Sequence, residues 1–189
     1  SVPDSVPDGT IIWISPTRTT TGTCKKAQKD STLSIWDPIY FYSLLGTNRA
    51  IYPGDPNAWG ISISLKYKGV EYPLSSIGGN SGSGVPTGFT LPACGPSDYD
   101  AGKCFINVSI TYQIVIRKHG LSPFVKPTQD MFSLFQFDGD LGVNCCQRSF
   151  QYVLSGLTNI VGTSCTVDVS VTPEPGIVGF GQGQGTATG

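Results

Sequence analysis

The sequence predicts an all-β fold, and three observations predict it. Apolar residues recur with a period of two over many short segments. Clusters of Gly, Pro, Asn, Asp and Ser separate those segments at regular intervals. No segment carries an apolar stripe with helical spacing. The clearest strand is Phe105 to Arg117, where Ile106, Val108, Ile110, Tyr112, Ile114 and Ile116 share one face and Asn107, Ser109, Thr111 and Gln113 the other. One face buried and one wet is the pattern of an antiparallel sheet packed on a core. Gly9 to Ser15, Ile39 to Leu45, Trp59 to Tyr67, Met131 to Asp138, Phe150 to Leu157 and Cys165 to Val171 read as further strands. The turn clusters are Tyr52 to Asn57, Gly78 to Gly84 and Asp138 to Asp140. Strands and turns without helices give an antiparallel β-sandwich with Greek-key connections.

Length and composition fit that architecture. The chain has 189 residues, enough for one substantial β domain with a short extension. Gly and Pro make up about a fifth of it, short of a low-complexity composition. Only 13% of residues are charged, and uncharged polar residues take their place, as suits an exported protein that meets neutral polar ligands. A formal net charge of −1 offers no footprint for nucleic acid. No apolar run has the length of a membrane span, so membrane insertion is not expected. No signal peptide is visible, and the chain is expected to be a mature or trimmed form.

The six cysteines are Cys24, Cys94, Cys104, Cys145, Cys146 and Cys165. None has C-x-x-C spacing and the single histidine, His119, is remote from all of them in sequence, so neither a metal nor another cofactor is expected. An even count in a low-charge chain points to disulfides and an oxidising compartment. Cys94 and Cys104 enclose a short loop and are expected to bridge it. Adjacent Cys145 and Cys146 are too close for an ordinary bridge to each other and face opposite ways if extended, toward two partners. Cys24 and Cys165 are the candidates, with the pairing open.

Two loops combine aromatic faces with carboxylates and amides, the groups that stack on a sugar ring and bind its hydroxyls. The first runs from Asn48 to Trp59 and offers Arg49, Asp55, Asn57 and Trp59. The second offers Asp98, Tyr99 and Asp100 inside the expected Cys94–Cys104 bridge. Trp36-Asp37-Pro38 is a third candidate, whereas Trp13 lies in an apolar strand and reads as core. Catalysis is not expected: no nucleophile elbow is present, His119 sits alone in a basic turn, and there are only two glutamates, Glu71 and Glu174.

The stretch from Met131 to Phe180 carries a resemblance. Phe135-Gln136-Phe137-Asp138-Gly139, then Leu141-Gly142-Val143-Asn144, then Tyr152 to Ile160 resemble the end of the N-terminal receptor-binding, lectin-like domain of chaperone–usher fimbrial two-domain tip adhesins. Ser164-Cys165-Thr166-Val167 and Val178-Gly179-Phe180-Gly181 resemble the opening of the pilin domain that follows it. The match covers about a quarter of the chain.

The resemblance implies an elongated, immunoglobulin-like receptor-binding β-sandwich over 1–171. Residues 172–189 would then be a linker and the start of a truncated pilin domain, or a flexible tail. It implies secretion through the periplasm to a fimbrial tip on the bacterial surface, with a host glycan or glycoprotein as receptor. Through the pilin domain it implies a periplasmic chaperone, an outer-membrane usher and a neighbouring fimbrial subunit as partners. It makes Asp138-Gly139 a structural turn, in keeping with the lack of regular acidic ligands for calcium around it. It also implies that Cys165 pairs within the pilin domain, which would leave an odd number of cysteines upstream. Pairing of Cys165 within the present chain is therefore expected instead. The leading expectation is an adhesin that binds a host-surface carbohydrate non-covalently. Binding of a host protein, matrix or surface, and a capping subunit without a receptor, are the alternatives.

Overall fold

The computed structural model describes residues 6–80, 82–121, 125–140, 151–160, 177–180 and 187–188. Strands make up 45% of it, arranged in two sheets that face each other as an all-β sandwich. The first sheet is organised on the strand predicted most clearly, β7 (Phe105–Lys118), 14 residues long. β1 (Ile11–Ile14) and β2 (Arg18–Lys25) pair in succession with β7, against 115–117 and 105–112 respectively. β4 (Ile61–Tyr67) pairs with 113–118, and β5 (Val70–Pro73) pairs with β4.

The second sheet has the order β6 (Val85–Leu91), β3 (Asp37–Ser43), β8 (Phe132–Asp138), β9 (Gln151–Leu154), β10 (Ile177–Phe180), β11 (Ala187–Thr188). All pairs are antiparallel except β9 with β10, where Ile177 lies opposite Gln151 in parallel register. The last two strands thus extend the second sheet. The expected strand from Cys165 to Val171 lies outside the described residues.

The predicted inward face of β7 meets aromatic residues of the second sheet. The Tyr112 ring is edge-on to Phe41 (6.4 Å), Phe135 (5.5 Å) and Tyr152 (5.7 Å), while Phe135 and Tyr152 stack at 4.5 Å. Such pairs add roughly 0.5–1.5 kcal/mol each beyond the area they bury. Burial pushes the phenol pKa of Tyr112 well above its ordinary value. Leu65, Ile114 and Ile116 complete the sealed middle of the core.

One ion pair braces the outside of the first sheet. Arg117 Nε and Nη2 each donate to the Glu71 carboxylate at 2.9 Å, and Nη1 donates to the Gly9 carbonyl at 2.7 Å. This fork joins β5, β7 and the segment leading into β1. The hydrogen bonds from Arg117 hold the Glu71 carboxyl below its ordinary pKa of 4.5, outweighing its partial burial. A depressed carboxylate stabilises the fold above its unfolded pKa and loses that contribution as pH falls through the folded one. Both side chains are about a third exposed, so solvent screening keeps the contribution to about 1 kcal/mol. Glu71→Gln is therefore expected to lower the melting temperature by a few degrees at pH 7 and to match the wild type near pH 3 in thermal unfolding at the two pH values.

Candidate functional site

The direction of β7 separates the predicted loops. Thirteen strand steps span about 43 Å, and the two loops lie at opposite ends of that span. One end holds the start of β4, where the His119 N–H donates to the Gly60 carbonyl at 2.9 Å and the Val125 N–H to the Trp59 carbonyl at 3.1 Å. The other holds the end of β2, where the Lys26 N–H donates to the Cys104 carbonyl at 2.9 Å.

At the first end, the loop bearing Arg49, Asp55, Asn57 and Trp59 has largely structural duties. Asp55 caps a one-turn 3-10 helix over Pro56–Trp59, its Oδ1 accepting from the Asn57 N–H at 3.1 Å. Gly60, at φ 76°, ends that turn in the left-handed region. Trp59 is buried in the core, edge-on to Phe132 at 6.4 Å, and presents no face to solvent. The buried Gln151 amide clamps the loop, donating to the Arg49 carbonyl at 2.7 Å and accepting from the Ile51 N–H at 3.1 Å. Asn57 is exposed and Arg49 half-buried. The segment from Leu157 to Ile160 lies at this same end, where the Leu157 N–H donates to the Asp130 carbonyl.

The opposite end is built from three segments tied together. Lys26 is buried, and its ammonium donates to the carbonyls of Thr32 (2.9 Å) and Ile35 (2.6 Å). It thereby holds a 3-10 turn (Ser31–Ser34) capped by Asp30, whose side chain accepts from the Thr32 N–H and hydroxyl. Those bonds pull the Asp30 carboxyl pKa below its ordinary value. The turn delivers Ile35 and Trp36 into solvent; Trp36 is 66% exposed.

The second segment is the hairpin from Cys94 to Cys104, joined by the expected disulfide across a Cα separation of 5.9 Å. It contains a one-turn helix, α1 (Pro96–Asp100). The Cys94 N–H donates to the Leu33 carbonyl (2.8 Å), the Tyr99 hydroxyl to the Ala27 carbonyl (3.2 Å), and Lys29 to the Asp100 carboxylate (2.8 and 2.9 Å). Asp100 and Tyr99 thus fasten the hairpin to the Lys26–Trp36 segment. The Asp98 side chain is exposed and makes no hydrogen bond among the described residues.

The third segment is the Asp138-Gly139-Asp140 turn. Asp37 Oδ1 accepts from the Asp140 N–H at 2.7 Å, Asp138 Oδ1 from the Gly139 N–H at 2.8 Å, and the Gly139 carbonyl from the Tyr42 hydroxyl at 2.6 Å. A Cβ on Gly139 would collide with the Asp37 carboxylate, so the close approach requires glycine. The acidic turn serves as structure. No cluster of three or more metal-ligating side chains occurs among the described residues.

This end therefore gathers an exposed indole beside Asp37, a free carboxylate at Asp98, and a hairpin locked by a disulfide and an ion pair. Of the seven residues singled out in the two loops, it holds Asp98, Tyr99 and Asp100, and it adds Trp36. Cys24 lies close by on β2, half-buried, its thiol pKa raised by burial and by the Asp138 charge. It forms no disulfide among the described residues. The expected partners Cys145, Cys146 and Cys165 lie outside them.

Sequence reasoning missed a second feature. Two adjoining hollows of about 340 and 480 Å³ share Phe89 and Ser109 and run along the first half of β7. Besides those of β7, their residues come largely from β2 and β6, strands whose Thr and Gly content gave no apolar alternation to detect. No protein family model matches the chain, and no curated protein or solved structure matches it either.

Closing the loop between residues 94 and 104 removes unfolded-state entropy equivalent to about 3 kcal/mol. Non-reducing peptide mapping should recover Cys94 and Cys104 in one linked fragment. Cys94→Ser with Cys104→Ser should lower unfolding free energy by roughly that amount in denaturant titration.

Proposed function

We propose that this domain is a non-catalytic recognition module, the receptor-binding part of a fimbrial tip adhesin that captures a host-surface carbohydrate. The observation that supports this most is the exposed Trp36 on a turn fixed at several points, with Asp98 presented by the neighbouring hairpin. An indole face stacks on the C–H side of a pyranose ring, and a fixed carboxylate accepts paired hydroxyl hydrogen bonds. Holding both on tied loops lowers the entropy lost on capture. In the resemblance to tip adhesins, Tyr152 to Ile160 stands toward the end of the receptor-binding domain, ahead of the pilin opening. Trp36 lies at the far end of the sandwich from Ile160, the end a tip domain turns to its receptor. The disulfide agrees with export to an oxidising compartment. The chaperone, usher and neighbouring subunit belong to the same proposal.

A second reading has its own support. Ile35 (48% exposed) and Trp36 form an adjacent apolar pair, which also suits a host protein surface. A glycan array probed with the chain separates the two. Selective binding is expected to weaken about tenfold or more in both Trp36→Ala and Asp98→Asn, the magnitude of one good contact. Glycan binding that survives both substitutions removes this site. No glycan signal, with Trp36-dependent adhesion to immobilised matrix protein, selects the second reading.

A further inference from the structure

The hydrogen bonds of β7 define an edge that the described residues leave open. The N–H groups of Gly9, Ser15 and Lys26 donate to the carbonyls of Lys118, Ile114 and Cys104, all even-numbered. Backbone groups of successive strand residues point to opposite edges, so even residues serve the β1–β2 side. The His119 N–H bond to Gly60 places the odd residues on the β4 side. β4 has its last partner in β7 at Gln113, opposite Lys66, and the chain then turns away through Lys68 and Gly69, at φ 50° and 80°. Asn107, Ser109 and Thr111 therefore direct their N–H and C=O groups past the end of β4, where no described strand pairs with them.

The first hollow lies along that edge, and the second continues from it across β7 to Thr21, Gly22 and Thr23 of β2. β6 forms part of the opposite wall, and its ladder to β3 is bulged: Pro38 faces Thr90 but Tyr40 faces Pro86. The bulge at Gly88 (φ 88°) is secured by the Tyr67 hydroxyl donating to the Thr87 carbonyl at 2.6 Å and the Thr87 hydroxyl to the Ile39 carbonyl at 2.7 Å. Phe105 to Tyr112 carries no charge and no proline, the usual guards of an open edge. Among the described residues, the only charged side chain lining the hollows is Lys68, its ammonium 5.3 Å from the Tyr67 ring centre and with no ion-pair partner there.

We infer that this edge is a docking site for an extended polypeptide segment of a partner protein, which adds as a strand to β7 in line with β4. The open groups repeat every second residue, about 6.7 Å, which is the repeat of an extended polypeptide. The neutral walls suit hydroxyl-bearing and β-branched side chains, and Lys68 suits one acidic group at the β4 end. This site is independent of the Trp36 end.

Hydrogen exchange on the intact chain tests the edge first. The amides of Asn107, Ser109 and Thr111 should exchange at least about tenfold faster than those of Val108 and Ile110. Equal protection of both sets overturns the inference. Panning with a display library of unconstrained heptapeptides should then recover peptides that protect the three odd amides. Their affinity should fall roughly tenfold in Ser109→Pro, which removes an edge N–H and spares the even-numbered ladder to β2. Ser109→Trp, which keeps the backbone and fills both hollows, should do the same. Recovery of no peptide, or of peptides indifferent to both substitutions, overturns the inference. So does protection of the odd amides by a second copy of the chain or by an array glycan.

Discussion

Pairing along β7 is the constraint from which the rest of the domain follows. One strand of 14 residues holds β1 and β2 on one edge and β4 on the other, so three strands take their register from a single alternation. A slip of one residue would turn Ile110, Tyr112, Ile114 and Ile116 to solvent and bring Ser109 and Thr111 into the core. Tyr112 makes such a slip prohibitive, because its ring fits between Phe41, Phe135 and Tyr152 of the facing sheet. The aromatic cluster thus fixes not only the spacing of the two sheets but also where each end of β7 emerges.

That length also sorts the loops by role. The end holding Trp59 and Gln151 has its polar groups consumed: Asp55 caps a turn, Gln151 satisfies two backbone groups, and Trp59 fills the core. At the other end the structural bonds are made chiefly by backbone groups, Lys26, Tyr99 and the Lys29–Asp100 pair. Trp36 and Asp98 are left over. A side chain with no structural duty on a loop that has many is the arrangement expected of a recognition surface, since the scaffold absorbs the ordering cost in advance.

Much of the fold was legible because the strongest strands alternate cleanly. β1, β3, β4, β7, β8 and β9 all fall within or beside segments whose period of two is visible in the sequence, and the Cys94–Cys104 bridge follows from a short enclosed loop. β2, β5 and β6 were not legible. β2 reads Arg-Thr-Thr-Thr-Gly-Thr-Cys-Lys, β5 is only four residues, and β6 contains Pro86 and Gly88. Their strand character comes from the partner ladder, not from their own side chains. The site was legible only in its chemistry. Sequence proximity grouped Asp55 with Trp59, but an Asp before a proline turn caps it and a Trp opening a strand enters the core. Trp36 was identifiable as an aromatic beside a carboxylate. Its exposure depends on the Lys26 ammonium reaching the Thr32 and Ile35 carbonyls, a contact no local pattern encodes.

Two of the three strands that were hardest to read, β2 and β6, also border the hollows along β7, and the two facts have one cause. A strand with strong alternation buries one face and completes its neighbours' ladders. β6 instead contains a bulge at Gly88 and has no ladder to β7 among the described residues, while β4 ends eight residues short of the start of β7's ladder with β2. Unpaired backbone is costly when buried and tolerable when wet, so the fold leaves it under open hollows lined by hydroxyls. Weak strand signals in β2 and β6 thus mark the place where the sandwich stops satisfying itself. There the domain has hydrogen-bonding capacity to offer a partner.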